Sequence, residues 1–226
     1  MRTTDVFDIG ETLVDETALW ESWARWLGVP EFTLYGVVGG LAVSGRDHQE
    51  FVELVKPGSS FAAELAAKEA AGQGWADSDL RVYPDALPCL QALARDGWRI
   101  VVGGNQPAAF ERLVVQLGLP VHLVTSSASL GAAKPDPAFF QAIAAAAGVA
   151  PADCVHVGDR VDNDVVAARA AGMLPVHVRR GPWGVLHGDD PAVDLQVTSL
   201  AELPALLRDL ADANPGSAEP SAPGRA

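Results

Sequence analysis

Short runs rich in β-branched residues alternate along the chain with segments whose apolar positions recur every three or four residues. The runs are Asp5–Ile9, Trp98–Val102, Val121–Val124, Cys154–Val157, Leu174–Val178 and Leu195–Val197. Between and after them, Phe110, Leu113, Val114 and Leu117, and then Leu200, Leu203, Leu207 and Leu210, mark helices with one apolar face each. Strands alternating with such helices predict an α/β fold, a Rossmann-like three-layer core around a parallel sheet. The interval from Thr12 to Tyr83 breaks the rhythm. It contains no strand pattern but three helical ones, at Trp20–Leu27, His48–Val55 and Phe61–Ala71. This is too long for an ordinary crossover and predicts a small inserted α-helical cap. The expected division is therefore a core at 1–15 and 80–212, a cap at 16–79 and a tail at 213–226. NPGSAEPSAPGRA is too poor in apolar residues to offset its ordering entropy, so the tail is expected to be disordered.

Composition narrows the partners. The chain has 226 residues, 49% of them apolar, with 16 Lys and Arg against 29 Asp and Glu, a formal charge of −13. It is long enough to bury a full core. Its charge disfavours a nucleic-acid or membrane partner, because a phosphate-bearing surface needs a broad basic face. Cys89 and Cys154 are far apart and outside any zinc-ligand spacing, and are expected as buried thiols. The opening MRTTDVFDIG lacks the apolar region of a signal peptide, and no apolar run approaches the roughly 20 residues of a membrane span. A cytoplasmic protein is expected.

Four segments fall just beyond predicted strands, where ligands bind in open parallel sheets. They are Phe7-Asp8-Ile9-Gly10-Glu11-Thr12-Leu13, Val102-Gly103-Gly104-Asn105-Gln106, Lys134-Pro135-Asp136-Pro137, and Val157-Gly158-Asp159-Arg160-Val161-Asp162-Asn163-Asp164. A carboxylate that attacks a phosphate ester meets another anion, so a divalent cation and a fixed lysine must offset the repulsion. Asp8, Asp159 and Asp164 offer oxygen ligands suited to Mg²⁺, and Lys134 is placed to orient Asp8 and to bind phosphoryl oxygens. The bland alternatives are a turn or capping role for Asp8, a solvated lysine, and an N-cap with a first-turn carboxylate for Asp159 and Asp164.

Taken in order, these segments resemble the haloacid dehalogenase superfamily: FDIGETLVDE its first motif, YPDALPCLQALARDGWRIVVGGNQ the return from the cap and the second motif, KPDPAFF its lysine motif, and VGDRVDNDVVAARAAGM its acidic motif. The resemblance covers residues 5 to 180. It implies Asp8 as nucleophile, Lys134 as the neutralising lysine, Gly104 and Asn105 at the phosphate-binding motif, and a Mg²⁺ ion among Asp8, the backbone carbonyl of Gly10, Asp159 and Asp164. It also implies a helical cap over a small phosphorylated metabolite, hydrolysed through an aspartyl-phosphate.

Two positions depart from the pattern. Gly10 stands where most phosphatases of the superfamily carry a second aspartate that protonates the leaving group, and Gly104 stands where they carry Ser or Thr. The first departure fits an activated leaving group, a proton supplied by Glu11 or Asp15, or a dehalogenase that needs none, and the two departures together fit a catalytically silent binding protein. Arg46 is a candidate cap-side contact. Trp20, Trp23 and Trp26 read as the buried stripe of a cap helix, some of them lining the cleft. His156 reads as a hydrogen-bonded core or edge residue, and His48, His122, His177 and His187 as loop or surface residues.

Overall fold

The computed structural model describes residues 2–75 and 80–213. Strands β1 (Thr4–Phe7), β4 (Arg99–Gly104), β5 (Leu123–Ser126), β6 (Cys154–Gly158), β7 (Leu174–Val178) and β8 (Gln196–Val197) form a parallel sheet in the order β5-β4-β1-β6-β7-β8. All six predicted strands are present. A seventh and an eighth, β2 (Val14–Asp15) and β3 (Arg81–Val82), form an unexpected antiparallel pair just outside the sheet. Two residues per strand carry no readable alternation.

Neighbouring residues of a strand point to opposite faces, and each face has its own core. Phe7, Ile100, Val102, Val155 and Val176 pack under α5 (Ala86–Arg95), α6 (Ala109–Gln116) and α11 (Leu203–Ala213). Val6, Val101 and Cys154 pack under α8 (Pro137–Ala146) and α9 (Ala167–Ala170), where Phe139, Phe140 and Ile143 are fully buried. Both cysteines are buried and unpaired. The chain builds outward from β1 through β4 to β5, then returns to β6 on the other side of β1. That reversal opens a crevice at the carboxyl ends of β1, β4 and β6.

Between β2 and β3 lie α1 (Thr17–Leu27), α2 (Glu31–Ser44), α3 (Phe51–Val55) and α4 (Phe61–Ala70). Three match the predicted helices, with His48–Glu50 forming a tighter turn ahead of α3. The fourth, α2, was not expected. Gly36, Gly39 and Gly40 weaken it locally, and its apolar residues surround the whole helix, so it shows no amphipathic period. Packing sustains it through Leu34, Val38, Leu41 and Ala42. Phe51 centres the cluster, with Trp20 and Trp23 edge-on at 5.4 and 5.2 Å. Trp183, from α10 (Gly181–Leu186), belongs to the same cluster and ties it to the sheet-bearing part of the chain. The tail boundary also shifts: Ala213 closes α11, and the stretch expected to be disordered, 214–226, lies outside the described residues.

Candidate active site

Asp8 directly follows β1, where its backbone N–H still donates to the Val157 carbonyl at 2.9 Å, so the strand fixes its direction. Asp159 follows β6. Asp164 lies one turn on, inside a wide π-helical turn at Val161–Val166, a geometry frequent at functional sites. Lys134 precedes α8, whose start is set by Asp136 capping Ala138 at 2.9 Å and by Pro137 at the first helical position.

These four residues meet. Lys134 Nζ donates to Asp8 Oδ1 at 2.5 Å and to Asp164 Oδ1 at 2.6 Å, and all three side chains are nearly withdrawn from solvent. Asp8, Asp159 and Asp164 each place one oxygen within 4.8 Å of the others. One lysine against three buried carboxylates leaves an excess of negative charge. Burial pushes the Asp8 carboxyl up, partly opposed by Lys134. Burial and then the charges of Asp164 and Asp8 drive Asp159 well above the ordinary range. Asp164 is held down despite its burial, by Lys134 and by His156, whose Nε2 lies 2.9 Å from Oδ1. Lys134 is raised despite its burial, by Asp164 and Asp8. The Asp159 carboxylate accepts no hydrogen bond among the described residues. An oxygen-lined, charge-excess cluster with an unused carboxylate suits a divalent cation.

Gly104 lies flush against Asp8, where a Cβ would fall 2.9 Å from Asp8 Oδ1 and 2.5 Å from Gln106 Oε1. A Ser or Thr would displace one of them. Asn105 turns its amide to the Lys134 backbone, accepting from its N–H and donating to its carbonyl at 2.8 Å each. It thus anchors the lysine loop, and its side-chain oxygen and one amide hydrogen are committed there.

The cleft has a volume of about 110 Å³ and is closed from the inserted helices by Trp20 and His48 and from the core by Trp183 and Arg160. A larger groove of about 290 Å³ lies at the opposite ends of the strands, bordered by Trp98, Leu174 and Leu207. Its Arg208 pairs with Asp96 at 2.8 Å, which occupies the carboxylate of its lining. Asp8, Lys134, Asp159 and Asp164 line the smaller cleft.

Several residues depart from the sequence reading. Arg46 is exposed and paired with Glu50, and the cationic wall of the cleft is Arg160 instead, stacked 4.9 Å from the Trp183 ring and bonded to Asp162 at 2.6 Å. Glu11 accepts from Tyr83 Oη at 2.5 Å and from the Glu16 N–H at 3.1 Å, and Asp15 caps Thr17 at 2.8 Å, so both candidate proton donors are engaged elsewhere. His177 is fully buried on β7, with Nε2 2.8 Å from the Asp159 carbonyl; it braces the acidic loop rather than lying at the surface. His48 faces Trp183 edge-on at 6.2 Å inside the cleft, and burial holds its pKa down.

Glu16 had no place in the sequence reading. It lines the cleft, and burial followed by the charges of Glu11, Asp8 and Asp15 pushes its carboxyl up to about 8. It closes the FDIGETLVDE segment, but the sequence does not show that the chain folds back through Glu11–Asp15 to bring it over Gly10.

Comparison with known proteins agrees with this geometry. Residues 5–172 match the haloacid dehalogenase-like hydrolase family. The chain is 36% identical over 138 residues to a glyceraldehyde 3-phosphate phosphatase of Methanopyrus kandleri, covering 58% of this chain and 59% of that protein. It is 33% identical over 190 residues to a phosphoglycolate phosphatase of Cupriavidus necator, covering 80% of each. The chain spans less than two thirds of the length of several phosphatases it matches. Its fold is similar to that of an L-2-haloacid dehalogenase of Xanthobacter autotrophicus, with a TM-score of 0.63, 22% identity, and coverage of 96% of this chain and 100% of that one.

Proposed function

The chain belongs to the haloacid dehalogenase-like hydrolases, and from that premise we propose that it is a Mg²⁺-dependent phosphoric monoester hydrolase acting on a small phosphorylated metabolite. The observation that carries this reading is the juxtaposition of Asp8 with Lys134 and two further buried carboxylates. The phosphatase names of the relatives support it.

In this reading an Asp8 oxygen bonds to phosphorus as the bond to the alcohol oxygen breaks, giving an aspartyl-phosphate. Water then attacks the same phosphorus, the bond to Asp8 breaks, and inorganic phosphate leaves. Lys134 aims the Asp8 carboxylate and balances the incoming phosphoryl charge. Gly104 keeps the side of Asp8 free of a side chain that would displace Asp8 or Gln106. Asp8, Asp159 and Asp164 would hold the cation, whose chemistry there is to offset the repulsion between nucleophile and phosphoryl group. The inserted helices act as a cap, with Trp20 and His48 closing the cleft over the substrate. The same nucleophile could displace halide from carbon, but that reaction uses no cation, and without one the carboxylates of Asp8, Asp159 and Asp164 repel the free carboxylate of a haloacid.

The test is phosphate release from sugar phosphates, phosphoglycolate and p-nitrophenyl phosphate with Mg²⁺ or EDTA, using wild type and Asp8→Asn. Release that needs Mg²⁺ and falls at least about 10³-fold in the variant is expected. Undiminished turnover by Asp8→Asn would end the proposal. Silence on every phosphate with halide release from 2-chloropropionate would replace it with the carbon–halogen reading, and silence in both assays would leave a binding protein.

A further inference from the structure

Breaking a phosphoric monoester releases an alkoxide, and an alkoxide needs a proton as it departs. Which group supplies that proton is unanswered by Asp8, Lys134, Asp159 and Asp164. Asp8 bonds to phosphorus, and Asp164 is committed to Lys134, His156 and the Arg160 N–H. Asp159 lies within the cation cluster. Glu11 is held by Tyr83 and by the Glu16 backbone. Apart from Lys134 and Arg160, both held in the charged form by neighbouring carboxylates, two titratable side chains of the cleft are left, Glu16 and His48.

Glu16 has the better position. A Cβ built on Gly10 would fall 2.2 Å from Glu16 Oε1, 2.7 Å from its Cδ and 3.3 Å from Oε2. The Glu16 carboxyl thus fills the space that the first side-chain atoms of residue 10 would take, two residues beyond the nucleophile. Its backbone is pinned on both sides, with the N–H donating to Glu11 at 3.1 Å and the carbonyl accepting from the Trp20 N–H at 3.0 Å. Asp15 caps the following helix in its stead. The side chain is therefore spared a capping role, and among the described residues its carboxyl makes no hydrogen bond or ion pair. A partly buried carboxyl without a partner, held over the turn after the nucleophile, is placed to meet a substrate atom.

We propose that Glu16 is the acid that protonates the departing alcohol, replacing a carboxylate that residue 10 cannot carry. The assignment rests on the hydrolase reading above. As the Asp8 oxygen bonds to phosphorus and the phosphorus–alkoxide bond breaks, the Glu16 proton passes to the alkoxide oxygen, leaving neutral alcohol and a Glu16 carboxylate. In the second half, the attacking water gives one proton back to Glu16 as its oxygen bonds to phosphorus and Asp8 is expelled. Water and monoester go in, alcohol and phosphate come out, and Glu16 ends as it began. Gly10 and Glu16 are then one device: the glycine is required because the glutamate occupies its side-chain space.

The experiment compares single-turnover rates on the most active alkyl phosphate of the panel with those on p-nitrophenyl phosphate, whose leaving group departs without protonation. Four proteins are used: wild type, Glu16→Gln, Glu16→Ala, and Glu16→Ala with Gly10→Asp. The loss in Glu16→Gln should be about 10²-fold or more greater on the alkyl phosphate than on p-nitrophenyl phosphate. The double variant should recover at least about tenfold over Glu16→Ala on the alkyl phosphate alone, a rescue that no merely structural role produces. His48→Gln should show no such leaving-group dependence. Equal losses of Glu16→Gln on both substrates, or a wild type that cleaves p-nitrophenyl phosphate but no alkyl phosphate, would overturn the assignment while the hydrolase reading stands. A wild type inactive on every phosphate would remove both.

Discussion

Asp5 shows how much a single residue can cost in this fold. It lies in the middle of β1 between Ile100 and Val155, fully buried, and neither carboxylate oxygen has a hydrogen-bond partner. Burial drives its pKa well above the ordinary carboxylate value. The folded chain therefore keeps a proton that the unfolded chain releases at lower pH. Stability from this group is present below the unfolded pKa and is lost as pH rises toward the folded one. Asp5→Val, which suits both the strand and its apolar neighbours, should raise stability by about 1–3 kcal/mol at pH 8 and by less at pH 4. Denaturant melts of both proteins at the two pH values check this. A variant less stable than wild type at pH 8 would show that Asp5 has a partner the geometry does not reveal. The same scale explains why the meeting of Asp8, Lys134 and the acidic loop was legible: each ends a strand or starts a helix, so sequence position alone aims it. Glu16 was not, since its contact with Gly10 is made through space by a folded-back turn.

At the scale of elements, the sheet was legible because its strands carry strong β-branched runs, whereas α2 was hidden by its glycines and its lack of a polar face. What joins the inserted helices to the sheet-bearing part was hidden as well. Trp183 starts in α10, yet packs with Trp20, Trp23, Leu34 and Phe51 of the insertion, while its outer face carries the Arg160 guanidinium. His187, at the end of the same helix, faces the Ala42 carbonyl of α2 at 3.0 Å. Periodicity cannot assign a residue to a cluster built by elements more than a hundred positions away. Removing the ring should loosen this joint at a cost of about 3–5 kcal/mol, the range for a buried aromatic cut to alanine. Trp183→Ala is expected to be cleaved by protease within residues 17–70 well before the sheet is attacked, and to lose turnover as Arg160 loses its support. An unchanged cleavage pattern would mean that the four helices hold their place without it.

Across the whole molecule, part of a net charge of −13 is gathered where it is least comfortable. Asp8, Glu11, Glu16, Asp159 and Asp164 share one small cleft, answered there by Lys134 and by an Arg160 already paired with Asp162. Burial first, and then the neighbouring carboxylates, raise Asp159 and Asp8, and their sign matches that of Asp5: without a cation, stability falls as pH rises through their titration. A divalent cation that binds the folded cluster and not the unfolded chain should reverse this by mass action, adding about 2.7 kcal/mol at a free concentration one hundred times its Kd. Thermal melts at pH 8 with Mg²⁺ or EDTA should therefore separate clearly for wild type. Asp159→Asn removes one buried charge and one ligand together. It should melt higher than wild type in EDTA and gain little from Mg²⁺, so the two proteins change order between the two conditions. Melts of wild type that coincide with and without Mg²⁺ would show that the cluster is not a cation site. A full Mg²⁺ shift in Asp159→Asn would place the cation away from that carboxylate.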